Sequence, residues 1–229
     1  MPSDRTAGLE FEIARWNDGF RAVVGVDEAG RGAWAGPVMA GAVCLPPGDP
    51  KALRSTLMGV RDSKQHTARG RDRLVERIQT TALAYGVGSA SAHEIDAIGI
   101  VPATCLAMQR AIAALCDYGR AAGIAPDCLL LDSIRCNAID LYQLAGNGAV
   151  PTQPIVRGDQ LSLSIAAASI LAKVARDRIM TEDTADYPDY HFSRHKGYGT
   201  AAHRRALTDF GVTDLHRKSF APMKHLPPR

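Results

Sequence analysis

Two adjacent carboxylates, Asp27 and Glu28, come directly after a short β-branched run that is typical of a buried strand. Two buried acids repel each other and lose hydration, so they normally need a cation, and hard divalent ions prefer carboxylate oxygens. In the other interpretation both acids cap a turn and point to solvent. The pattern alone leaves the two interpretations about equally open.

A glycine-rich turn follows these acids. Gly30, Arg31 and Gly32 combine an unrestricted backbone with a guanidinium, which suits a phosphate group. The spacing from Gly30 to Gly36 misses the dinucleotide-binding pattern by one residue, and no GK[ST] sequence of a P-loop follows. The turn therefore indicates a phosphate contact of another kind.

Two further acids also follow apolar runs: Asp132 ends one such run, and Asp159 comes after a shorter one. Sites in α/β sheets collect where strands end, so these acids could converge with Asp27 and Glu28. Convergent carboxylates are what a two-metal phosphoryl-transfer site requires. Taken singly, each Asp is more often a cap or turn residue, and Asp159 could be a helix N-cap.

Asp177 competes with Asp159 for a place in such a site. In a continuous helix Asp177 would lie 18 residues further on, about 27 Å along the axis at 1.5 Å per residue. Both acids cannot then serve one metal pair. The adjacent Arg176 offers Asp177 a structural role, so we choose Asp159.

The elements that must position these acids are strands alternating with helices. This order predicts an α/β protein with a mixed sheet flanked by helices. The strands are predicted at residues 23–26, 37–45, 83–91, 128–131 and 154–156. A long amphipathic helix is predicted over residues 161–180, where apolar residues recur on one face.

The composition is ordinary for a soluble globular protein of 229 residues, with 46% hydrophobic and 22% charged residues. The formal net charge is only +3, but basic residues concentrate in two regions, 54–77 and 173–229, which permits a polyanion track. The N-terminus lacks an apolar signal core, and no run of about 18 apolar residues exists for a membrane span. We therefore expect a cytoplasmic protein without a membrane partner.

Cysteines and histidines give no strong metal pattern. The five cysteines are odd in number and form no CxxC pair, so we expect buried reduced thiols. His191 and His195 have a spacing compatible with zinc on a helix. Gly197 and Gly199 argue against a helix there and no third ligand is evident, so we expect ordinary surface or hydrogen-bonded histidines.

The stretch VGVDEAGRG, residues 24–32, resembles the signature of type 2 ribonuclease H, the ribonuclease HII family. Other motifs of that family follow in order: Asp62-Ser63-Lys64, Glu94-Ile95-Asp96, Asp132, Arg157-Gly158-Asp159, residues 164–177, residues 195–200 and residues 216–220. The resemblance implies an RNase H-like sheet with a C-terminal helical region. It also implies cleavage of the RNA strand in RNA/DNA hybrids and incision at single ribonucleotides within duplex DNA.

The resemblance implies roles for individual residues. It makes Asp27, Glu28, Asp132 and Asp159 the catalytic acids that bind Mg²⁺ or Mn²⁺. It also implies substrate contacts, which are Gly30, Arg31, Gly32, Lys64, Ser164, Lys173 and Tyr198. The glycine-rich turn would sense the ribose 2′-hydroxyl, Tyr198 would stack on the neighbouring deoxyribose, and Lys64 and Lys173 would contact phosphates. The small residues around Ser164 could approach the DNA strand or pack against the sheet.

We divide the chain into a leader (1–22), a catalytic domain (23–200) and a C-terminal helical segment with a tail (201–229) within the same compact unit, and we expect a monomer. One alternative is a ribonuclease HIII-like hybrid nuclease. The resemblance disfavours this alternative, because ribonuclease HIII normally carries an extra N-terminal domain. Another alternative is a non-catalytic module that binds RNA/DNA hybrids. Its acids would only cap strands.

Overall fold

The sheet has the mixed topology that the sequence predicts. The computed structural model describes residues 6–61, 66–132 and 150–225. Within them, strands β1 (Val23–Ala29), β2 (Val38–Cys44), β3 (Ala84–Ala90), β4 (Cys128–Asp132) and β5 (Thr152–Ile155) form one sheet in the order β3-β2-β1-β4-β5. β1 pairs antiparallel with β2 and parallel with β4; β2 with β3 is antiparallel and β4 with β5 parallel.

Helices cover both faces of this sheet. In chain order they are α1 (Glu10–Asn17), α2 (Pro50–Thr56), α3 (Ala68–Thr81), α4 (Ala92–Ile98), α5 (Ile100–Gly119), α6 (Gly158–Leu161), α7 (Leu163–Asp186), α8 (Phe192–His195) and α9 (Ala201–Phe210). The core on one face includes residues of α1, α2, α3 and α7, and α4 and α5 pack on the other face. A third cluster of buried residues joins the C-terminal region to Ala35 and Met180.

Helix α7 lies unusually close to the sheet. A Cβ at Gly25 would overlap the backbone of Ser164 and Ile165, and one at Gly41 would overlap the carbonyl of Ala168. Small residues on the helix and glycines on the strands together permit this approach. The alanines after Ser164 are therefore explained by packing against the sheet.

The long helix differs from its prediction at its start. The backbone leaves helical geometry at Ser162 (φ −114°, ψ 127°), whose side chain caps α7 at the N–H of Ile165. Asp159 consequently lies in the separate short helix α6. The expectation of one helix from residue 161 is wrong at its N-terminal end.

The segment before β1 packs into the same core as the sheet. Leu9 and Trp16 are buried there, and the carboxylate Oε1 of Glu12 accepts hydrogen bonds from the Ser162 hydroxyl (2.6 Å) and the Ser164 backbone N–H (2.8 Å). Residues 6–22 therefore fix the start of α7. The boundary at residue 22 stays a prediction about sequence organisation.

The helical stretch Ile100–Ala122 is long and apolar enough to cross a membrane by length and composition alone. A soluble core helix passes the same test, and α5 buries residues including Ala107 and Leu115 against the sheet.

The cysteines differ in their state. Cys44, Cys116 and Cys128 are free. Cys105 is disulfide-bonded, so the expectation of reduced thiols is wrong for that residue.

Candidate active site

Three carboxylates meet at one edge of the sheet. β1 and β4 are parallel neighbours with Val26 opposite Leu131, so Asp27 and Asp132 follow side by side. Asp159 reaches them from α6, just after β5. One oxygen from each of these three acids lies within 4.8 Å of the others. We call Asp27, Asp132, Asp159 and the adjacent Glu28 the acid cluster.

The acid cluster is electrostatically strained. Asp27 is only 4% exposed, and burial, then the charges of Glu28 and Asp132, raise its pKa well above the ordinary value. Burial also raises the pKa of Glu28, although Arg31 opposes the shift with its guanidinium 3.3 Å from Oε1. The negative charges of Asp27, Glu28 and Asp132 repel one another, so a ligand that brings positive charge would bind favourably here.

The hydrogen bonds of the acid cluster orient Asp27 and Asp132 and leave one buried oxygen of Glu28 without a partner in the described part of the chain. Asp27 Oδ1 accepts from the backbone N–H of Glu28 (2.7 Å), and Asp132 Oδ1 accepts from that of Gly158 (2.8 Å). The buried Oε2 of Glu28 has no hydrogen-bond partner among the described residues. Hard carboxylate donors with spare oxygens fit Mg²⁺ or Mn²⁺.

Asp177 lies in a different environment from the acid cluster. Its carboxylate is ion-paired with Arg71 (2.9 Å) and with Lys173 (2.5 Å). Two basic partners satisfy both of its oxygens. The structure thus brings Asp159, and not Asp177, to Asp27 and Asp132.

A cavity of about 240 Å³ opens over Asp27, Glu28 and Asp132, and Asp159 is not among the residues that line it. Of the predicted site residues, it is lined by Asp27, Glu28, Gly30, Arg31, Gly32, Asp132, Lys173 and Tyr198; Ala29 and Ser169 also line it. The Ser169 side chain hydrogen bonds to Asp27. Ser169 ends the small-residue segment 164–169, whose hydroxyls were expected either near the DNA strand or packed against the sheet. Its contact with Asp27 was not predicted, although Ser169 lies four residues before Lys173 and so on the same face of α7.

Two predicted substrate contacts are not found in this cavity. Ser164 is completely buried, and its hydroxyl donates to Oε1 of Glu12 (2.6 Å). The Ser164 side chain thus faces the sheet and not this cavity, and its assignment as a substrate contact stays a prediction. Lys64 lies outside the described residues.

Two buried arginines hold the glycine-rich turn. Arg217 donates from Nη1 to the carbonyl of Arg31 and from Nη2 to that of Gly30, both at 2.8 Å. Arg176 donates from Nη2 to the carbonyl of Ala35 at 2.9 Å. Neither arginine was predicted to belong to the site. Arg176 lies three residues after Lys173 and seven after Ser169, on the same face of α7, and this spacing was the signal available in the sequence.

The Tyr198 ring stands at the rim of the cavity, 37% exposed. Lys173 Nζ lies 5.9 Å and Arg176 Cζ 5.4 Å from its ring centroid, within the range of cation–π contacts. The backbone on both sides is glycine, and Gly197 has a positive φ of 79°. An exposed ring thus projects from a segment whose neighbours have no side chains.

Three buried histidines lie behind Tyr198, and we call His195, His203 and His216 the histidine cluster. The His195 and His203 rings stack with centroids 4.6 Å apart. His195 hydrogen bonds to the Tyr190 carbonyl and to the N–H of Gly197. These bonds agree with the expectation of a hydrogen-bonded His195 and leave its ring no free nitrogen for zinc. The segment nevertheless contains the short helix α8, which the two glycines argued against.

Comparisons of the sequence with known proteins agree on one family. A family model described as Ribonuclease HII matches residues 24–223. Ribonuclease HII of Chloroflexus aurantiacus is 49% identical over 217 residues, which cover 94% of this chain and 92% of that protein. Ribonuclease HII of Dehalococcoides mccartyi is 43% identical over 229 residues, covering 99% and 98%.

Solved structures give the same architecture. Ribonuclease H2 from Pyrococcus horikoshii is 25% identical with a TM-score of 0.67, covering 88% of this chain and 95% of that one. A ribonuclease HIII solved in complex with Mn²⁺ has a TM-score of 0.66 at 18% identity, covering 89% and 68%. The second likeness concerns the fold alone.

Proposed function

Because the chain belongs to the ribonuclease HII family, we propose that it incises at single ribonucleotides in duplex DNA, as well as within RNA/DNA hybrids, with two divalent cations. The family makes it a ribonuclease H, which excludes the non-catalytic hybrid-binding module. The observation that carries the proposal is the acid cluster, in which one oxygen each of Asp27, Asp132 and Asp159 lies within 4.8 Å of the others, next to an open cavity.

The acids would hold Mg²⁺ or Mn²⁺ through Asp27, Glu28, Asp132 and Asp159. Divalent cations at such a site supply an activated water and neutralise charge on the phosphate and the leaving oxygen. The protein's own part is to fix the carboxylates in advance: β1 and β4 set Asp27 and Asp132 side by side, and the Gly158 N–H orients Asp132. Prior positioning of this kind lowers the reorganisation required during reaction.

Recognition of the ribonucleotide would come from the other walls of the cavity. The turn from Gly30 to Gly32 lies beside the acids, and the backbone at its two glycines can approach the 2′-hydroxyl closely because no side chain stands there. Arg217 holds two carbonyls of this turn and so fixes its backbone. The Arg31 and Lys173 side chains add positive charge for phosphates.

Tyr198 would contact the deoxyribose next to the ribonucleotide. Its exposed ring and its place in the lining of the same cavity as the acids support this role. Replacing Tyr198 with Ala should then impair incision at a single ribonucleotide more than cleavage of a uniform hybrid. Equal losses on both substrates would indicate a packing role instead.

The proposal is tested with three duplexes of the same sequence: one carries a single ribonucleotide, one is a uniform RNA/DNA hybrid, and one is all DNA. With Mg²⁺ we expect incision of the first two and none of the third. Chelation of the cation should stop both reactions. Cleavage of the hybrid without incision at the single ribonucleotide would contradict the proposal and favour a ribonuclease HIII-like specificity.

A further inference from the structure

A chain of hydrogen bonds runs through the histidine cluster to the backbone of Tyr198. The N–H of Thr213 donates to Nδ1 of His216 at 3.0 Å. Nε2 of His216 lies 3.0 Å from Nε2 of His203, and Nδ1 of His203 lies 3.1 Å from the carbonyl oxygen of Tyr198. Both rings are buried, with at most 1% of either residue exposed.

The partners at the two ends fix the protons in between. A backbone N–H can only donate, so Nδ1 of His216 accepts, and in the neutral ring its hydrogen is on Nε2. That hydrogen is donated to Nε2 of His203, whose own hydrogen is then on Nδ1. Nδ1 of His203 therefore donates to the carbonyl of Tyr198, which as an acceptor requires this tautomer.

The surroundings of the pair keep both rings neutral. Trp34 and Phe192 have ring centroids 5.7 Å from that of His203, and His195 is stacked on it. A second proton on His203 would place two N–H groups against each other across the 3.0 Å contact between the Nε2 atoms, and a second proton on His216 would place its Nδ1–H against the N–H of Thr213. Burial lowers the pKa of His203 to about 4 and of His216 to about 3, which is consistent with this arrangement.

The Tyr198 segment needs such an anchor. Glycines flank the tyrosine, and a Cβ at Gly199 would overlap the Trp34 ring, so position 199 has no room for a side chain that could fix the segment. The Tyr198 N–H also donates to the His195 carbonyl at 3.0 Å, the Thr200 N–H donates to the Tyr198 carbonyl at 2.8 Å, and the neighbouring Gly197 carbonyl accepts from the N–H of Trp34 at 2.8 Å. The bond from His203 ties the Tyr198 carbonyl to the first turn of α9, the helix that begins at Ala201.

We propose that the His216–His203 pair is a positioning device that holds Tyr198 for the sugar next to the ribonucleotide. His203 acts on the Tyr198 carbonyl, and His216 fixes the tautomer of His203. Neither histidine touches the substrate. The inference rests on the proposed role of Tyr198 in incision at single ribonucleotides.

Two substitutions of His203 separate the two nitrogens of its ring. In His203→Asn the amide nitrogen can occupy the place of Nδ1 and still donate to the Tyr198 carbonyl. In His203→Gln the amide reaches the place of Nε2, so contact with His216 is kept and the bond to Tyr198 is lost. Both variants remove the imidazole, so each is a control for the other.

Incision of the single-ribonucleotide duplex is measured at temperatures where thermal melts show each protein folded. We expect His203→Gln to lose about as much kcat/KM as Tyr198→Ala, roughly tenfold or more, and His203→Asn to retain most of it. The double variant His203→Gln/Tyr198→Ala should be no slower than Tyr198→Ala alone, because the two residues act as one unit. Cleavage of the uniform hybrid should change less in every variant.

The outcomes distinguish the inference from the function on which it rests. If Tyr198→Ala incises like the wild type, the proposed role of Tyr198 fails, and the inference fails with it. If Tyr198→Ala is impaired but His203→Gln is not, only the inference is overturned. Equal losses in the Asn and Gln variants, or a double variant whose losses multiply, would show that His203 has only a general structural role.

If His203→Gln does not fold, His216→Asn replaces it in the same measurements. Its side-chain oxygen can still accept from Thr213, but it no longer reaches His203. A double variant with Tyr198→Ala that is no slower than Tyr198→Ala alone supports the inference. Losses that multiply overturn it.

Discussion

The acid cluster and the histidine cluster differ in how their polar atoms are satisfied. The three histidines are buried, whereas in the acid cluster Asp27 and Asp159 are buried and Glu28 and Asp132 are half-buried. The acids gather like charges, and the Oε2 of Glu28 has no partner in the described part of the chain. In the histidine cluster all six ring nitrogens have hydrogen-bond partners. A cluster that lacks compensation requires a ligand, whereas a compensated cluster can only position its neighbours.

The largest effect should come from removing one charge of the acid cluster. We expect Asp132→Asn to slow incision by a factor of about 10² or more, since each 1.4 kcal/mol of barrier is tenfold, while hybrid binding is largely retained. The Asn oxygen can still accept from Gly158, and one repulsive charge is gone, so thermal stability should not fall. Single-turnover rates and melting curves of the same preparation test both expectations.

Near wild-type turnover of Asp132→Asn would show that this carboxylate does not take part in catalysis. A large drop in melting temperature would show instead that its charge stabilises the fold. Either result would remove the contrast between the two clusters.

The next effect concerns stabilisation by the cation. Mg²⁺ should raise the free energy of unfolding of the wild type, by about 2.7 kcal/mol when its concentration is a hundredfold above its dissociation constant. Asp132→Asn should show a clearly smaller gain at the same concentrations. Melting temperatures across a Mg²⁺ titration measure this, with Ca²⁺-free buffer and a matched NaCl titration as the ionic-strength control. Equal gains in both proteins would place the binding elsewhere.

The histidine cluster should lower the stability of the folded protein at acid pH. In the unfolded chain histidine gains a proton near pH 6.5, whereas the folded pKa of His203 is about 4. The unfolded state therefore binds more protons between these values, and stability is lost as the pH falls from 6.5 toward 4. The loss is up to about 1.4 kcal/mol per pH unit for each such histidine.

This pH effect is measured as a difference between proteins, because the raised pKa of Asp27 acts in the opposite direction. Urea unfolding of the wild type and of His203→Asn at pH 7, 6 and 5 cancels the contribution of the acids. The variant should lose less stability over this range than the wild type. Parallel profiles would mean that His203 is not held neutral in the folded state.

The smallest effect is expected at Asp177. Its ion pairs with Arg71 and Lys173 are only partly exposed, so Asp177→Asn should cost about 1 kcal/mol or somewhat more of stability. Incision should stay within about tenfold of wild type, since Asp177 is outside the acid cluster. Urea unfolding and single-turnover rates check the two expectations. Loss of activity in a protein that melts normally would place Asp177 in the catalytic group.

The acid cluster could be predicted from the sequence because each acid follows an apolar run, and the strand ends of a parallel pair meet at one edge of the sheet. The contact between His203 and His216 could not be predicted, since the two residues are 13 positions apart in different segments and no periodicity joins them. The orientation of Ser164 toward the sheet could not be predicted for a related reason. Small residues on a helix do not reveal which neighbour they approach, and only their pairing with Gly25 and Gly41 identifies the sheet as that neighbour.

The most direct test of the central claim, that the acid cluster is the cation site, is Mn²⁺ binding followed by the electron paramagnetic resonance signal of the free ion. The account predicts that Asp159→Asn weakens binding by about tenfold or more, while Asp177→Asn binds within about twofold of the wild type. Both substitutions remove one negative charge, so they are matched controls for general electrostatics. Normal binding by Asp159→Asn together with weakened binding by Asp177→Asn would contradict the account.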